Sequence, residues 1–178
     1  MRIPRIKPAN IQFTQALAYP IINSDYFSAT KQFIDKASKS IDIFFFAARY
    51  YRGESRHPVN HFFNALRQAA NRGVKVRLLF NGNFFQGDSL THNIAIIKAF
   101  KMQNLDAALA GKSTRVHSKM LIIDGQLSIL GSHNHSFRSF NSNFETSIAV
   151  DSPAIAQTYT RHFNRLWLSR QIIARSNP

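Results

Sequence analysis

The stretch from Val116 to Val150 contains residues whose types and spacing could do chemistry. His117 and Lys119 stand two apart. Asp124 follows after four intervening residues, Gly131 and Ser132 after six more, and Asn134 is next but one to Ser132. Side chains two apart on a strand share a face, so an imidazole and an ammonium would converge on one anion. Ser132 and Asn134, at the far end of a following strand, would bring neutral donors to the same place. A nucleophile, a cation and hydrogen-bond donors around one anion suit displacement at a phosphodiester. Asp124 differs: Asp-Gly is a turn pair, and Asp124 reads as a structural or orienting residue, not a proton donor. Gly131 is likewise structural. The competing idea is zinc, because His133 and His135, with His117 and Asp124 nearby in sequence, have a spacing that a metal accepts. Of the two readings, the anion-centred one uses His117, Lys119, Ser132 and Asn134 together, whereas zinc would rest on sequence proximity alone. The string His133-Asn134-His135 is not an HNH nuclease motif, whose residues are dispersed through a ββα fold.

The pattern H-x-K-x4-D-x6-G-S-x-N resembles the signature of the phospholipase D superfamily, and above all that of its small single-motif bacterial endonucleases. Ser40-Ile41-Asp42-Ile43, Ala65-Leu66 and the run from Ala69 to Arg77 resemble the first half of the same domain, so the likeness spans roughly residues 11 to 170. It implies a metal-independent phosphodiesterase without cofactors, acting through a phosphohistidine. His117 would be nucleophile or acid, Lys119 and Asn134 phosphate ligands, and Ser132 a supporting donor. Glu145 resembles the carboxylate that orients an active-site histidine. The family mechanism needs two motif histidines, but His117 begins the only H-x-K here. A homodimer with the site on its two-fold axis, one His117 from each subunit, resolves this. One local departure is His135, where many relatives carry an aromatic residue; it is expected to perturb the charge of the pocket.

Alternating periodicities supply the elements that must position these residues. Strands are expected at Ile11–Ala18, Ile41–Ala47, Val74–Phe80, Leu105–Leu109, Lys119–Ile123, Ser128–Leu130 and Phe144–Val150. Helices are expected at Asp25–Lys39 with Ser24 as N-cap, from Pro58 to Arg72 with Gly73 as the stop, at Ser89–Gln103, and from Pro153 to about Arg170 after Ser152. The order predicts an α/β fold, a mixed sheet sandwiched between helices, in one domain over residues 11–178 after an extension over 1–10.

Composition bears on the substrate. Twenty-three Lys and Arg oppose nine Asp and Glu, a net charge of +14, which draws polyanions. Nucleic acid is the expected partner, and an anionic membrane surface the alternative. Arg49, Arg52 and Arg56 lie near Tyr50 and Tyr51, and Arg138 lies between Phe137 and Phe140, an interleaving that suits phosphates and exposed bases. Phe137 and Phe140 could equally be core or interface residues. On the lipid reading, a phosphatidyl or cardiolipin-type hydrolase, Phe84 and Phe85 would touch the membrane. A nucleic-acid-binding module without catalysis is the third reading, and the intact motif argues against it. The absence of cysteine excludes disulfides and thiolate chemistry. No apolar run approaches the ~18 residues of a membrane span. Met1 to Asn10 has no apolar core of a signal peptide, and the compartment stays open between cytoplasm and export after loss of a leader.

Overall fold

A computed structural model describes residues 14–83 and 89–172. In chain order the elements are β1 (Leu17–Ile22), α1 (Asp25–Lys36), β2 (Ser40–Phe45), α2 (Pro58–Asn71), β3 (Lys75–Phe80), α3 (Ser89–Ala99), β4 (Leu105–Leu109), β5 (Met120–Ile123), β6 (Leu127–Gly131), α4 (Phe137–Asn141), β7 (Thr146–Asp151) and α5 (Pro153–Leu168). The strands form one seven-stranded sheet in the order β1-β7-β6-β5-β2-β3-β4. β2, β3 and β4 run parallel. From β2 through β5, β6 and β7 to β1 the pairing is antiparallel.

β2 shows why the sheet is covered on both faces. Ile41, Ile43 and Phe45 join the core shared with α1 and α2, whereas Phe44 joins a second core with Phe163 and Trp167 of α5. With a side-chain period of two, a strand apolar at nearly every position must be covered twice. Asp42 is on the α5 side, where its carboxylate takes a bidentate pair from Arg77 at 2.6 and 2.7 Å. Arg77 lies over the rings of Phe163 and Trp167. α5 opens as expected, the Ser152 side chain accepting from the N–H of Ile155 ahead of Pro153.

Several expectations need correction. Among the described residues the first strand runs from Leu17 to Ile22 and contains Pro20; it overlaps the expected Ile11–Ala18 only at Leu17 and Ala18, and residues 11–13 of that expectation lie outside the described ones. Pro20 is tolerated because β1 lies at the sheet edge, where a missing N–H breaks no inner ladder. Ser24 is αR and its side chain caps nothing, so α1 starts without a side-chain cap. α1 ends at Lys36 and α3 at Ala99, before Lys39 and Gln103. α4 occupies a stretch where no element is expected, since its five residues are too few to show a helical period. Phe84 and Phe85 lie outside the described residues.

The β5–β6 turn holds Asp124 at φ +55° and Gly125 at φ +65°, the left-handed pair of a tight hairpin. Asp124 reaches across to the start of β2. Its oxygens accept from the backbone N–H groups of Ser38, Lys39 and Ser40 at 2.7–2.9 Å and from the Ser38 hydroxyl at 3.0 Å. Burial alone would raise its pKa, but these donors outweigh it and hold the carboxyl below its usual value. The stabilisation is therefore complete above the unfolded value of ~3.9 and disappears as pH falls through the lower folded value. Asp124→Asn keeps a residue that tolerates left-handed backbone but gives up the charge and one acceptor. It should cost about 1–3 kcal/mol at neutral pH, flatten the acid limb of a stability profile, and leave turnover unchanged. Urea unfolding at pH 7 and pH 3.5, with a turnover assay, checks this; a fall in turnover without loss of stability would place Asp124 in the chemistry instead.

Candidate active site

One open cleft of about 630 Å³ is lined by Phe46, His117, Ser118, Lys119, Met120, Leu130, Gly131, Ser132, Asn134 and Glu145. His117, Lys119, Ser132, Asn134 and Glu145, all singled out in the sequence, thus line one space. The two basic groups are not carried on a strand, because β5 begins only at Met120. The ladder frays just before it, where the Gly131 N–H reaches the Lys119 carbonyl at 3.4 Å. His117 lies beyond, on a segment anchored by buried Val116, whose N–H donates to Asn81 Oδ1 at 2.9 Å.

His117 is exposed, and its ring centroid sits 4.3 Å from that of Phe46. Lys119 Nζ lies 4.6 Å over the same Phe46 ring, 3.5 Å from His117 Nδ1, and donates to the His117 carbonyl at 2.9 Å. The Lys119 cation, then burial, then Arg115 hold His117 below the ordinary imidazole value. The neutral ring, the form able to attack phosphorus, is favoured at neutral pH. Burial pulls Lys119 down as well, and the Glu145 carboxylate opposes it.

Glu145 sits just before β7, buried, and takes hydrogen bonds from the hydroxyls of Ser132 and Ser139 and from Asn143 Nδ2. Burial raises its pKa, but these three donors, with His133, outweigh it and leave it below the usual carboxylate range. Its backbone is clamped by Asn23, whose Oδ1 accepts from the Glu145 N–H and whose N–H donates to the Glu145 carbonyl, both at 2.9 Å. Asn134 contributes an enclosed Oδ1 with no hydrogen-bond partner among the described residues, so that atom is uncommitted there. Gly131 is required by packing. A Cβ there would run into Ser147 and the Thr146 carbonyl of neighbouring β7.

Other candidates lie elsewhere. Asp124 is at the opposite end of β5 from Lys119. His133 is buried, stacked on Tyr26 at 4.2 Å, with Nδ1 2.8 Å from the Ser147 hydroxyl and Nε2 2.9 Å from the Asn23 carbonyl. His135 is fully buried among Phe45, Phe62 and Phe140, and neither ring nitrogen has a hydrogen-bond partner among the described residues. It therefore does not charge the cleft, contrary to expectation. Burial, with His133 beside it, pushes its pKa down to about 3 and keeps it neutral. The four residues weighed as a zinc set do not meet, and no group of three or more His, Cys, Asp or Glu among the described residues could hold a metal. Of the arginines, Arg49 and Arg138 line a separate cavity, while Arg52 and Arg56 are exposed on the loop before α2, outside its lining. Tyr50 packs edge-on against Phe63 and Phe100, and Phe140 is core; Phe137 remains 47% exposed.

Sequence reading missed Phe46, Asn81, Asn93 and Asn23. Buried Asn93 donates to the carbonyls of Phe46 and Asn81 and accepts from Ala48 N–H, tying the end of β2 to the segment before His117. An asparagine among apolar helix residues was the available signal for Asn93, since a buried amide must find partners.

A mixed sheet gathers an exposed imidazole, a lysine, a buried carboxylate and an uncommitted amide oxygen into one open cleft, a set whose chemistry suits a phosphodiester. Comparison with known proteins agrees. Residues 30–167 match the family described as "Cardiolipin synthase, PLD-like domain". Cardiolipin synthase 1 of Staphylococcus epidermidis is 29% identical over 116 residues, 61% of this chain but only 22% of the synthase. Nuc from Salmonella typhimurium, a phospholipase D family member, shares the fold with a TM-score of 0.74 at 18% identity, over 91% of this chain and 100% of Nuc. NucT from Helicobacter pylori does so with a TM-score of 0.71 at 18% identity, over 89% of this chain and 100% of NucT. The chain belongs to the phospholipase D superfamily, whose members act on phosphodiesters.

Proposed function

We propose that this chain is a metal-independent nuclease whose active site is completed by a second copy of itself. The observation that carries the reading is the cleft, where the exposed His117 imidazole faces the same space as Lys119, Ser132, Asn134 and Glu145. A His117 nitrogen attacks phosphorus, and the N–P bond forms as the bond to the leaving oxygen breaks. His117 of the partner subunit protonates that oxygen, then takes a proton from water, whose oxygen displaces the histidine from phosphorus. Lys119 and the Asn134 amide N–H hold the non-bridging oxygens, while the Ser132 hydroxyl, donating to Glu145, fixes the carboxylate that sets the local charge.

The surface beside the cleft suits an isologous partner. Ile22, Phe144 and Ile148 are 47%, 97% and 38% exposed, and Leu130, opposite Ile148 across the β6–β7 pair, lines the cleft. Apolar surface around a site with one catalytic histidine favours a contact on a two-fold axis. The net charge of +14 favours a nucleic-acid substrate. A phospholipid substrate is the second reading, favoured by the name of the cardiolipin synthase relative. Among the described residues no helix is long and apolar enough to cross a membrane.

Cleavage of labelled single- and double-stranded DNA and RNA in excess EDTA, beside cardiolipin vesicles, separates these readings. Nucleic-acid cleavage that survives EDTA is expected. Turnover of vesicles alone would select the lipid reading, and a need for added metal would overturn the mechanism. Oligonucleotide affinity should also fall about a thousandfold between ~50 and ~200 mM salt if about six phosphates are contacted. Affinity that is flat across this range would remove the polyanion argument.

A further inference from the structure

A second cavity, of about 470 Å³, is lined by Arg49, Tyr51, Glu54, His57, Ser136, Phe137 and Arg138. Two chain segments link the two spaces. Phe46 and Asn134 line the cleft, and Arg49 and Ser136 line the cavity, with the Ala48–His135 bridge between them. Asn134 and Ser136 are two residues apart, at most about 7 Å of extended chain, a step that one or two nucleotides span.

We propose that this cavity is a nucleotide subsite, which takes one unstacked base and its phosphate from a single strand running out of the cleft. This rests on the nucleic-acid reading of the cleft. The floor is preorganised. Tyr51 stacks on His57 with centroids 3.6 Å apart, its N–H donates to Asn60 Oδ1, and its carbonyl accepts from Asn60 Nδ2. The Tyr51 hydroxyl accepts from the Phe137 N–H at 3.2 Å, which fixes the start of α4 against this floor. Phe137 then stands as a half-exposed ring 5.3 Å from His57, available to stack on a base.

Arg49 lies 5.3 Å over Tyr51, and its planar guanidinium offers a second stacking surface as well as charge. Among the described residues, neither Arg49 nor Arg138 has a carboxylate within ion-pair distance, so both can serve a phosphate. Glu54, the acidic group of the lining, repels phosphate at its end and can accept from an amino group on the base. A paired base inside a duplex cannot present its face to Phe137. The subsite therefore selects single strands, as stacking platforms do.

The test uses full-length protein carrying His117→Ala, so that substrates survive, and measures binding of short fluorescent single-stranded and duplex oligonucleotides. Adding Phe137→Ala should weaken single-strand binding by roughly tenfold and leave duplex binding unchanged. Phe137→Trp should preserve it, and Arg49→Gln should weaken it with a shallower salt dependence. An oligonucleotide made abasic at the position that meets Phe137 should bind more weakly than its intact counterpart, and Phe137→Ala should then cause no further loss. Unchanged single-strand affinity on Phe137→Ala substitution, in a protein whose melting temperature is also unchanged, would overturn the subsite. If wild type still cleaved nucleic acid, the nuclease reading would stand. Wild type that binds and turns over only cardiolipin vesicles would overturn both.

Discussion

Replacing His117 with alanine should lower phosphodiester cleavage by at least about a thousandfold while the protein still folds. The side chain is exposed, and its ring contacts are Phe46 and Lys119 at the cleft surface, so truncation opens no core cavity. Stability should stay within about 0.5 kcal/mol of wild type, as for a surface site. The loss is large because nucleophile and acid disappear together if each subunit supplies one. Mixing makes that explicit: with roughly a ninefold excess of His117→Ala chains and confirmed exchange, activity per wild-type chain should fall to about a tenth, since only wild-type pairs retain both histidines. Activity that stays proportional to wild-type chains would mean that one subunit holds a complete site. A His117→Ala protein that retains a substantial part of its activity would move the nucleophile elsewhere.

The second large effect concerns stability. His135→Phe should remove most of an acid sensitivity that begins near pH 6.5. The ring lies fully buried among Phe45, Phe62, Phe140 and Tyr26, with both nitrogens unpartnered. Burial first, and His133 second, lower its pKa to about 3. The unfolded chain takes up this proton below about 6.5 while the folded chain does not, so stability falls as pH drops from about 6.5 towards the folded value. Between about pH 7.5 and pH 5 the penalty comes to about 2 kcal/mol. Urea unfolding at both values should show the gap between them shrink by that amount in His135→Phe. His133 and His57, lowered by burial, and His117, lowered first by Lys119, leave a smaller residue of the effect. The larger phenyl ring costs some packing strain, so the neutral-pH stability of the variant is the less informative number. An unchanged gap would show that His135 is protonated, or reached by water, in the folded protein.

Much of the molecule was legible in the chain because its signals are local. The apolar run of β2 marks a strand covered on both faces. Pro58 and Ser152-Pro153 mark helix starts, and the boundaries of β4 are those expected from periodicity. The spacing from His117 to Asn134 singled out residues that line one cleft, because a hairpin returns its second strand beside the first.

Other features depend on partners far away in sequence. Asp124 belongs to the same linear pattern, yet it lies at the other end of β5 and ties down residues 38–40, more than eighty positions earlier. His135, next to Asn134, points into an aromatic core instead of the cleft. Arg49 and Arg138 meet in one cavity, whereas Arg52, three residues from Arg49, does not join them. Asn23 clamps Glu145 across 122 positions. Side-chain period and turn chemistry are set by neighbours along the chain, so the sequence by itself determined the elements and the motif. Which face of each element is buried, and which distant backbone satisfies each polar group, is decided when the sheet closes and buried donors and acceptors must find partners; only the tertiary structure held that information.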